Sequence, residues 1–212
     1  MLSQVHYHGS MTPLVLASTS SYRKQLISQL GLVFKAQAPR CDEDTFKAKI
    51  QDPRQLAETL AWEKAHSLAN QNNCVIGGDQ VVDQNGQILG KTGSAEKACE
   101  QLWNMQGKSH RLITALNVIY KGKAYPMIDI TLMKMRPLSQ TQIEKYVQID
   151  QPLDCAGSYK FEKSGILLFE SVTCQDASAI QGVPMIQLTN LLFELGFPIL
   201  VESQSAEKKE SR

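Results

Sequence analysis

The stretch LVLASTSSYRKQLISQLG, Leu14–Gly31, decides how the chain is built. Leu14–Ala17 is a short apolar run that predicts a buried strand, and it stops at Ser18, Thr19, Ser20 and Ser21. From Ser20 an amphipathic pattern predicts a helix to Leu30, closed by Gly31. Its first turn carries Arg23 and Lys24, although the N-terminal end of a helix is already positive and favours acids. With Ser20 as the cap, the first-turn amides and the hydroxyls of Ser18, Thr19 and Ser20 surround one small volume. Either both cations point into water, or an anion such as a phosphate relieves the excess positive charge, with a guanidinium gripping two oxygens at once.

Outward from this unit, strands and helices alternate. A strand is expected from Leu32, and Asp52-Pro53 pairs an N-cap with a first-turn proline to open a helix running to about Gln71. Cys74–Val82 reads as a strand that continues into a hairpin through DQNGQ. Ser94–Met105 reads as a helix, His110–Tyr120 and Ala124–Met135 as strands. Ser139 and Gln142 form a capping box that opens a helix ending near Gln148. GILLFESVTC (165–174) reads as one strand, and Pro184–Leu195 as a last helix closed by Gly196. Interleaved elements of this kind predict an α/β fold with a mixed sheet, antiparallel where strands follow one another directly. Residues 12–200 form the domain, 1–11 read as an N-terminal extension or tag remnant, and 201–212 as a polar tail.

Two residues depart from these patterns, and two weaker signals stand beside them. Lys64 lies on the apolar stripe of its helix, four after Leu60 and three after Ala61. It either snorkels outward along its methylenes or delivers an ammonium into a cleft. Asp79 falls inside an apolar β-run directly after Gly77 and Gly78, where a carboxylate must be paired, hydrated or metal-bound. Lys91 follows a glycine, a weak signal alone. The acidic run Asp42-Glu43-Asp44 reads as a solvated loop. Together, cations, a hydroxyl-rich helix start and separate acids supply what a Mg²⁺–polyphosphate reaction requires.

Composition narrows the class of partner. A net charge of +1 over 212 residues gives no global attraction to nucleic acid or an anionic membrane. No apolar run approaches the ~20 residues that span a bilayer. The five scattered cysteines form no CxxC pair, so reduced thiols and a cytoplasmic location are expected.

In order along the chain, these motifs resemble the Maf family of nucleoside triphosphate pyrophosphatases, relatives of the inosine triphosphatases. LASTSSYRKQLISQLG resembles the family's opening signature, with Ser21 where proline is usual. DED resembles its acidic loop, AWEKA its Lys-Ala helix and GGDQVV its Gly-x-Asp motif. LGK, DCAGSYKFE and IQGVPM fit the later motifs, with Thr92 after Lys91 where proline is common. The resemblance implies an elongated α/β molecule, a mixed twisted sheet with flanking helices, a cleft between two lobes, and a homodimer. It implies hydrolysis of a nucleoside triphosphate between its α- and β-phosphates with a divalent cation, Mg²⁺ first and Mn²⁺ or Co²⁺ as alternatives. By position, Asp79 would be the catalytic carboxylate and, with Glu43, a metal ligand. Ser18, Ser20, Arg23, Lys64 and Lys91 would line the phosphate channel.

Tyr22, Gln80 and Glu162 stand where the family's dTTP/UTP-type members tend to carry Arg, Thr and Gln, and resemble instead its 7-methyl-GTP subgroup. The chemistry agrees: methylation at N7 makes guanine a cation, which an electron-rich ring attracts. A glutamate can accept from the guanine N1–H and exocyclic amine. For Tyr22 the competing reading is core packing, and for Glu162 an exposed charge beside Lys160 and Lys163. The alternatives in function are a pyrimidine triphosphate pyrophosphatase of the same family and a nucleotide-binding regulator of septum formation.

Overall fold

The structure, a computed structural model, describes residues 12–200; the expected extension 1–11 and tail 201–212 lie outside the described residues. Seven strands form one mixed sheet: β1 (Leu14–Ala17), β2 (Phe34–Gln37), β3 (Cys74–Gln84), β4 (Gln87–Leu89), β5 (Ser109–Tyr120), β6 (Lys123–Met135) and β7 (Phe169–Thr173). Their order is β2-β1-β3-β5-β6-β7, with β4 paired to β3. β2, β1 and the first half of β3 run parallel, and all other pairings are antiparallel. β3 therefore belongs to both kinds of sheet, and it outruns β1, whose last residue Ala17 pairs with Gly77. Asp79 and Gln80 lie just past that end. Crevices form at such carboxyl ends, where successive connections leave a strand in opposite directions.

The helices are α1 (Ser21–Ser28), α2 (Glu43–Lys49), α3 (Pro53–His66), α4 (Ala95–Met105), α5 (Gln140–Asp150) and α6 (Met185–Glu194). Ser20 caps α1, Asp52 caps α3 with Pro53 in its first turn, and the Ser139–Gln142 capping box opens α5, as their residues predict. α3 ends at His66, short of Gln71, because a turn held by the Asn73 side chain follows. Two expectations need larger correction. The acidic run is not a loop: Asp42 caps α2, with Glu43 and Asp44 in the first turn and Lys47 and Lys49 in the last, the polarity a helix dipole favours. GILLFESVTC is not one strand, since Ser164–Leu168 forms a 3-10 turn, drawn in by the Gly165 amide bonding to the Lys160 carbonyl, before β7 begins. A second 3-10 turn, Ala177–Gln181, precedes α6.

Alternation along β3 divides the core. Cys74 and Ile76 pack with Leu26, Ile27, Leu116 and Leu188 at one end, whereas Val82 packs with Leu102, Leu112, Met133 and Phe169 at the other. The expected two lobes are thus two cores on one continuous sheet. On the opposite face Val75 and Val81 meet α3 through Ala65 and Leu60. Pro126 is tolerated inside β6 because β7 pairs only with Leu132–Met135, leaving β6 without an outer strand there among the described residues.

Gly77 sets the height of α3 over the sheet. A Cβ there would fall within contact distance of the Ala61 carbonyl oxygen and the Ala65 amide, and 2.8 Å from the Ala65 Cβ. Backbone cannot yield as a flexible side chain can, so α3 would have to lift. We expect Gly77→Ala to cost about 2 kcal/mol or more in denaturant unfolding. Gly78→Ala, whose Cβ meets the Leu116 Cδ1 at 3.2 Å, should cost less; equal costs would contradict this packing.

Candidate active site

The backbone leaves β1 through Ser18, which is buried, and enters α1 at Ser20. Ser18 Oγ accepts from the Ser20 amide at 3.1 Å, and Ser20 Oγ accepts from the Arg23 amide at 3.4 Å. A hydroxyl that accepts from the backbone keeps its O–H to donate, so this turn presents donors. Ser18, Thr19, Ser20 and Ser21 all line a cavity of about 800 Å³. Of the two cations in the first turn only Arg23 faces this cavity; Lys24 is exposed. Arg23 Nε donates to the Gly182 carbonyl at 3.1 Å. Burial lowers the Arg23 value from that of a free guanidinium, partly offset by the charges of Asp79 and Glu43.

Close approach of α3 at Gly77 brings Lys64 to Asp79. Its ammonium donates to Asp79 Oδ1 at 2.7 Å and pairs with Glu43 Oε1 at 2.9 Å. With side-chain exposures of 7% for Lys64, 12% for Asp79 and 35% for Glu43, the first two charges are removed from bulk water. The snorkelling reading of Lys64 therefore fails. Burial alone would raise the Glu43 carboxyl, but Lys64 and then Lys47 pull it down to about 2. Lys47, one turn further along α2, pairs with Glu43 at 3.0 Å and also lines the cavity.

A second group of side chains forms the other end. Tyr22, Asp154, Cys155, Tyr159, Lys160, Phe161 and Glu162 line the same cavity. The Tyr22 hydroxyl is pushed up to about 12, by burial first and then by the neighbouring Glu162 carboxylate. Glu162 is both exposed to solvent and part of the cavity wall. The Lys160 ammonium is tied back to Asp154 at 3.1 Å and to the Gln151 carbonyl at 3.1 Å. Beneath them Tyr159 donates to or accepts from His110 Nε2 at 2.9 Å and packs edge-on against Phe169. Lys91 reaches the rim through a backbone bridge to Ala156. Gln80 lines the wall, but its amide nitrogen is spent on Thr114 Oγ1 at 2.8 Å and on the Ala179 carbonyl at 2.9 Å.

The structure thus brings Ser18, Ser20, Tyr22, Arg23, Glu43, Lys64, Asp79, Gln80, Lys91 and Glu162 around one cavity. Sequence reading did not single out Lys47, Lys160 or Tyr159. For Lys47 the signal was present, since it stands four after Glu43 in a segment with a capping aspartate. Lys160 and Tyr159 stand inside the DCAGSYKFE motif, but their places depend on how the loop after α5 folds back.

A divalent cation fits this donor set under one condition. No group of three or more His, Cys, Asp or Glu among the described residues could cage a metal by itself. Glu43 and Asp79 converge on the Lys64 ammonium, so a divalent ion would share these carboxylates with that charge and needs the substrate's phosphates to offset it. Mg²⁺ commonly takes one or two carboxylates and completes its shell with substrate phosphates and water.

The family model for Maf-like proteins matches residues 13–195. The chain belongs to the Maf family. A 7-methyl-GTP pyrophosphatase of Bdellovibrio bacteriovorus is 51% identical over 179 residues, 84% of this chain and 95% of that one. One of Xanthomonas oryzae is 42% identical over 189 residues, 88% of this chain and 98% of that one. Among solved structures, a HAM1 protein from Coxiella burnetii superposes with a TM-score of 0.45 at 14% identity, covering 87% of this chain and 100% of that one. In this Maf chain no helix among the described residues is long and apolar enough to cross a membrane.

The lowered Glu43 value fixes a pH dependence. Its folded value of about 2 lies below the ordinary 4.5, so its ion pair stabilises the fold above pH 4.5 and is lost as pH falls toward 2. Lys64→Met leaves Glu43 with burial, which raises its value, and with Lys47 alone. Carboxyl-carbon NMR should show Glu43 titrating at higher pH in that variant, and an unmoved titration would refute the pairing.

Proposed function

We propose that this chain hydrolyses 7-methyl-GTP to 7-methyl-GMP and diphosphate, removing a modified nucleotide from the pool. The observation that carries the reading is a single cavity with unlike ends. One part of its wall holds Arg23, Lys47 and Lys64 around Glu43 and Asp79, another sets an aromatic ring, Tyr22, beside the Glu162 carboxylate, and Lys91 joins the same wall through its bridge to Ala156. A volume of about 800 Å³ suits a ligand of nucleotide size. Relatives named for this activity, within the same family, support the substrate.

At the base end, an N7-methylated guanine brings a positive ring. Tyr22 attracts it through its π face, and the Glu162 carboxylate adds charge attraction and accepts from the ring's N–H groups. A pyrimidine has neither the charge nor that donor edge, so the acceptor would stay unpaired, which is a source of discrimination.

At the phosphate end, Glu43 and Asp79 would hold a divalent cation jointly with the substrate, and such an ion supplies charge neutralisation on the phosphates. Lys64 holds Asp79 by Oδ1, and the Asp79 carboxylate is assigned to receive a proton from the attacking water. That water's oxygen bonds to the α-phosphorus, the bond to the bridging oxygen breaks, and its electron pair leaves on the diphosphate. Arg23, Lys47 and Lys91, with the Ser18 and Ser20 hydroxyls, offset the charge that gathers on the leaving group.

Diphosphate release from a panel of nucleoside triphosphates with Mg²⁺ tests the reading. 7-methyl-GTP should be preferred, and Asp79→Asn should lower kcat by about 10²–10⁴-fold while still binding nucleotide. A preference for dTTP or UTP overturns the substrate; affinity without turnover overturns catalysis. Glu162→Gln should lower kcat/KM for 7-methyl-GTP about tenfold, roughly the loss of one charge-assisted contact, and should affect GTP less. Equal losses on both would remove Glu162 from recognition of the cationic ring.

A further inference from the structure

Three donors converge on one buried carbonyl. The Ala179 oxygen, in the 3-10 turn Ala177–Gln181, accepts from Thr114 Oγ1 at 2.9 Å, from Gln80 Nε2 at 2.9 Å and from the Gly182 amide at 2.9 Å. Thr114 and Ala179 are both fully buried, so the two side chains fasten the turn to the sheet where water does not compete. Gln80 Nε2 also donates to Thr114 Oγ1 at 2.8 Å, closing a triangle. The turn is fastened from its other side too. The buried Asp176 accepts from Ser178 and from the Ile186 amide at 2.6 Å, and its own amide donates to the buried Asp129 at 3.2 Å.

One residue beyond this anchor, the Gly182 carbonyl accepts the Arg23 Nε. Gly182 has φ 95°, and a Cβ there would stand 3.2 Å from that same nitrogen. The amide of Gly182 is therefore held by the anchored carbonyl, while its oxygen holds the guanidinium. Nε is the bond donor in this contact, so the terminal nitrogens of Arg23 are left to face the cavity.

We propose that Thr114 and Gln80 are positioning residues for Arg23: by docking the turn Ala177–Gln181 on the sheet, they set the Gly182 carbonyl that aims the guanidinium at the substrate's phosphates. The inference rests on the reading of Arg23 as a phosphate ligand. It also revises what Gln80 does. With its amide nitrogen spent on the turn, Gln80 acts on the tail of the substrate through Arg23.

Calorimetric binding of inorganic triphosphate, a probe with no base, tests this without turnover. Thr114→Val should weaken binding about tenfold, the worth of one well-placed charge-assisted contact, and Thr114→Ser should restore it. In an Arg23→Ala background Thr114→Val should have no further effect, because the lost interaction is already gone. Gln80→Met, which keeps the side chain's bulk, is the second arm and should behave like Thr114→Val. Affinity for 7-methylguanosine should stay unchanged in every variant. Equal losses with and without Arg23, a loss of nucleoside affinity, or full triphosphate affinity in both single variants would each overturn the proposal, as would a wild type that does not bind triphosphate. Diphosphate release from 7-methyl-GTP by the wild type reports separately on the reading beneath it.

Discussion

An ammonium held between two carboxylates organises this molecule. Lys64 sits on the inward face of α3 and bridges Asp79 on β3 to Glu43 on α2. Three charges in a largely dry place are expensive to assemble, and a well-packed apolar trio of similar volume is often as stable or more so. Removing one partner is worse, because it strands a charge. The arrangement therefore stands or falls together, and it dictates backbone details around it. Gly77 must lack a side chain so that α3 can come close enough, and α2 must begin where its Asp42 cap places Glu43.

Much of this was legible in the sequence, for physical reasons that can be named. β1, α1 and the start of α3 announce themselves through an apolar run and capping chemistry that act within a few residues. Lys64 and Asp79 were visible because each breaks an apolar pattern, and such a violation persists only where something compensates for it. α2 was misread because three consecutive acids suggest solvation, although Asp42 is a good cap and the lysines lie at the proper end. The 3-10 turns were not legible. Ala177–Gln181 owes its shape to Thr114, Gln80, Asp129 and Asp176, which lie in other elements or outside the turn itself. The fold-back that ties Lys160 to Asp154 is hidden in the same way.

The two ends of the cavity also differ in how they are built. The proposed phosphate end is made from regular elements, with Arg23 on α1, Lys64 on α3 and Asp79 on β3. The proposed base end relies on loop: Asp154 through Glu162 fall between α5 and the turn before β7. Fixed elements suit a reaction that is the same for every triphosphate, since the charges must meet phosphorus and oxygen in one geometry. A loop on a rigid frame suits recognition of the variable part. Tyr22 and Arg23 are adjacent in α1, so the two proposed tasks meet at a single peptide bond.

The sheet runs unbroken beneath both cores, with β3, β5 and β6 each spanning from one to the other. Long strands bonded along ten or more registered pairs do not bend about a point. The two halves are consequently girders of one frame rather than jaws. Whatever adjusts around an arriving nucleotide must be carried by the rim, by the short α2 and the loop after α5, while the distance across the floor stays constant.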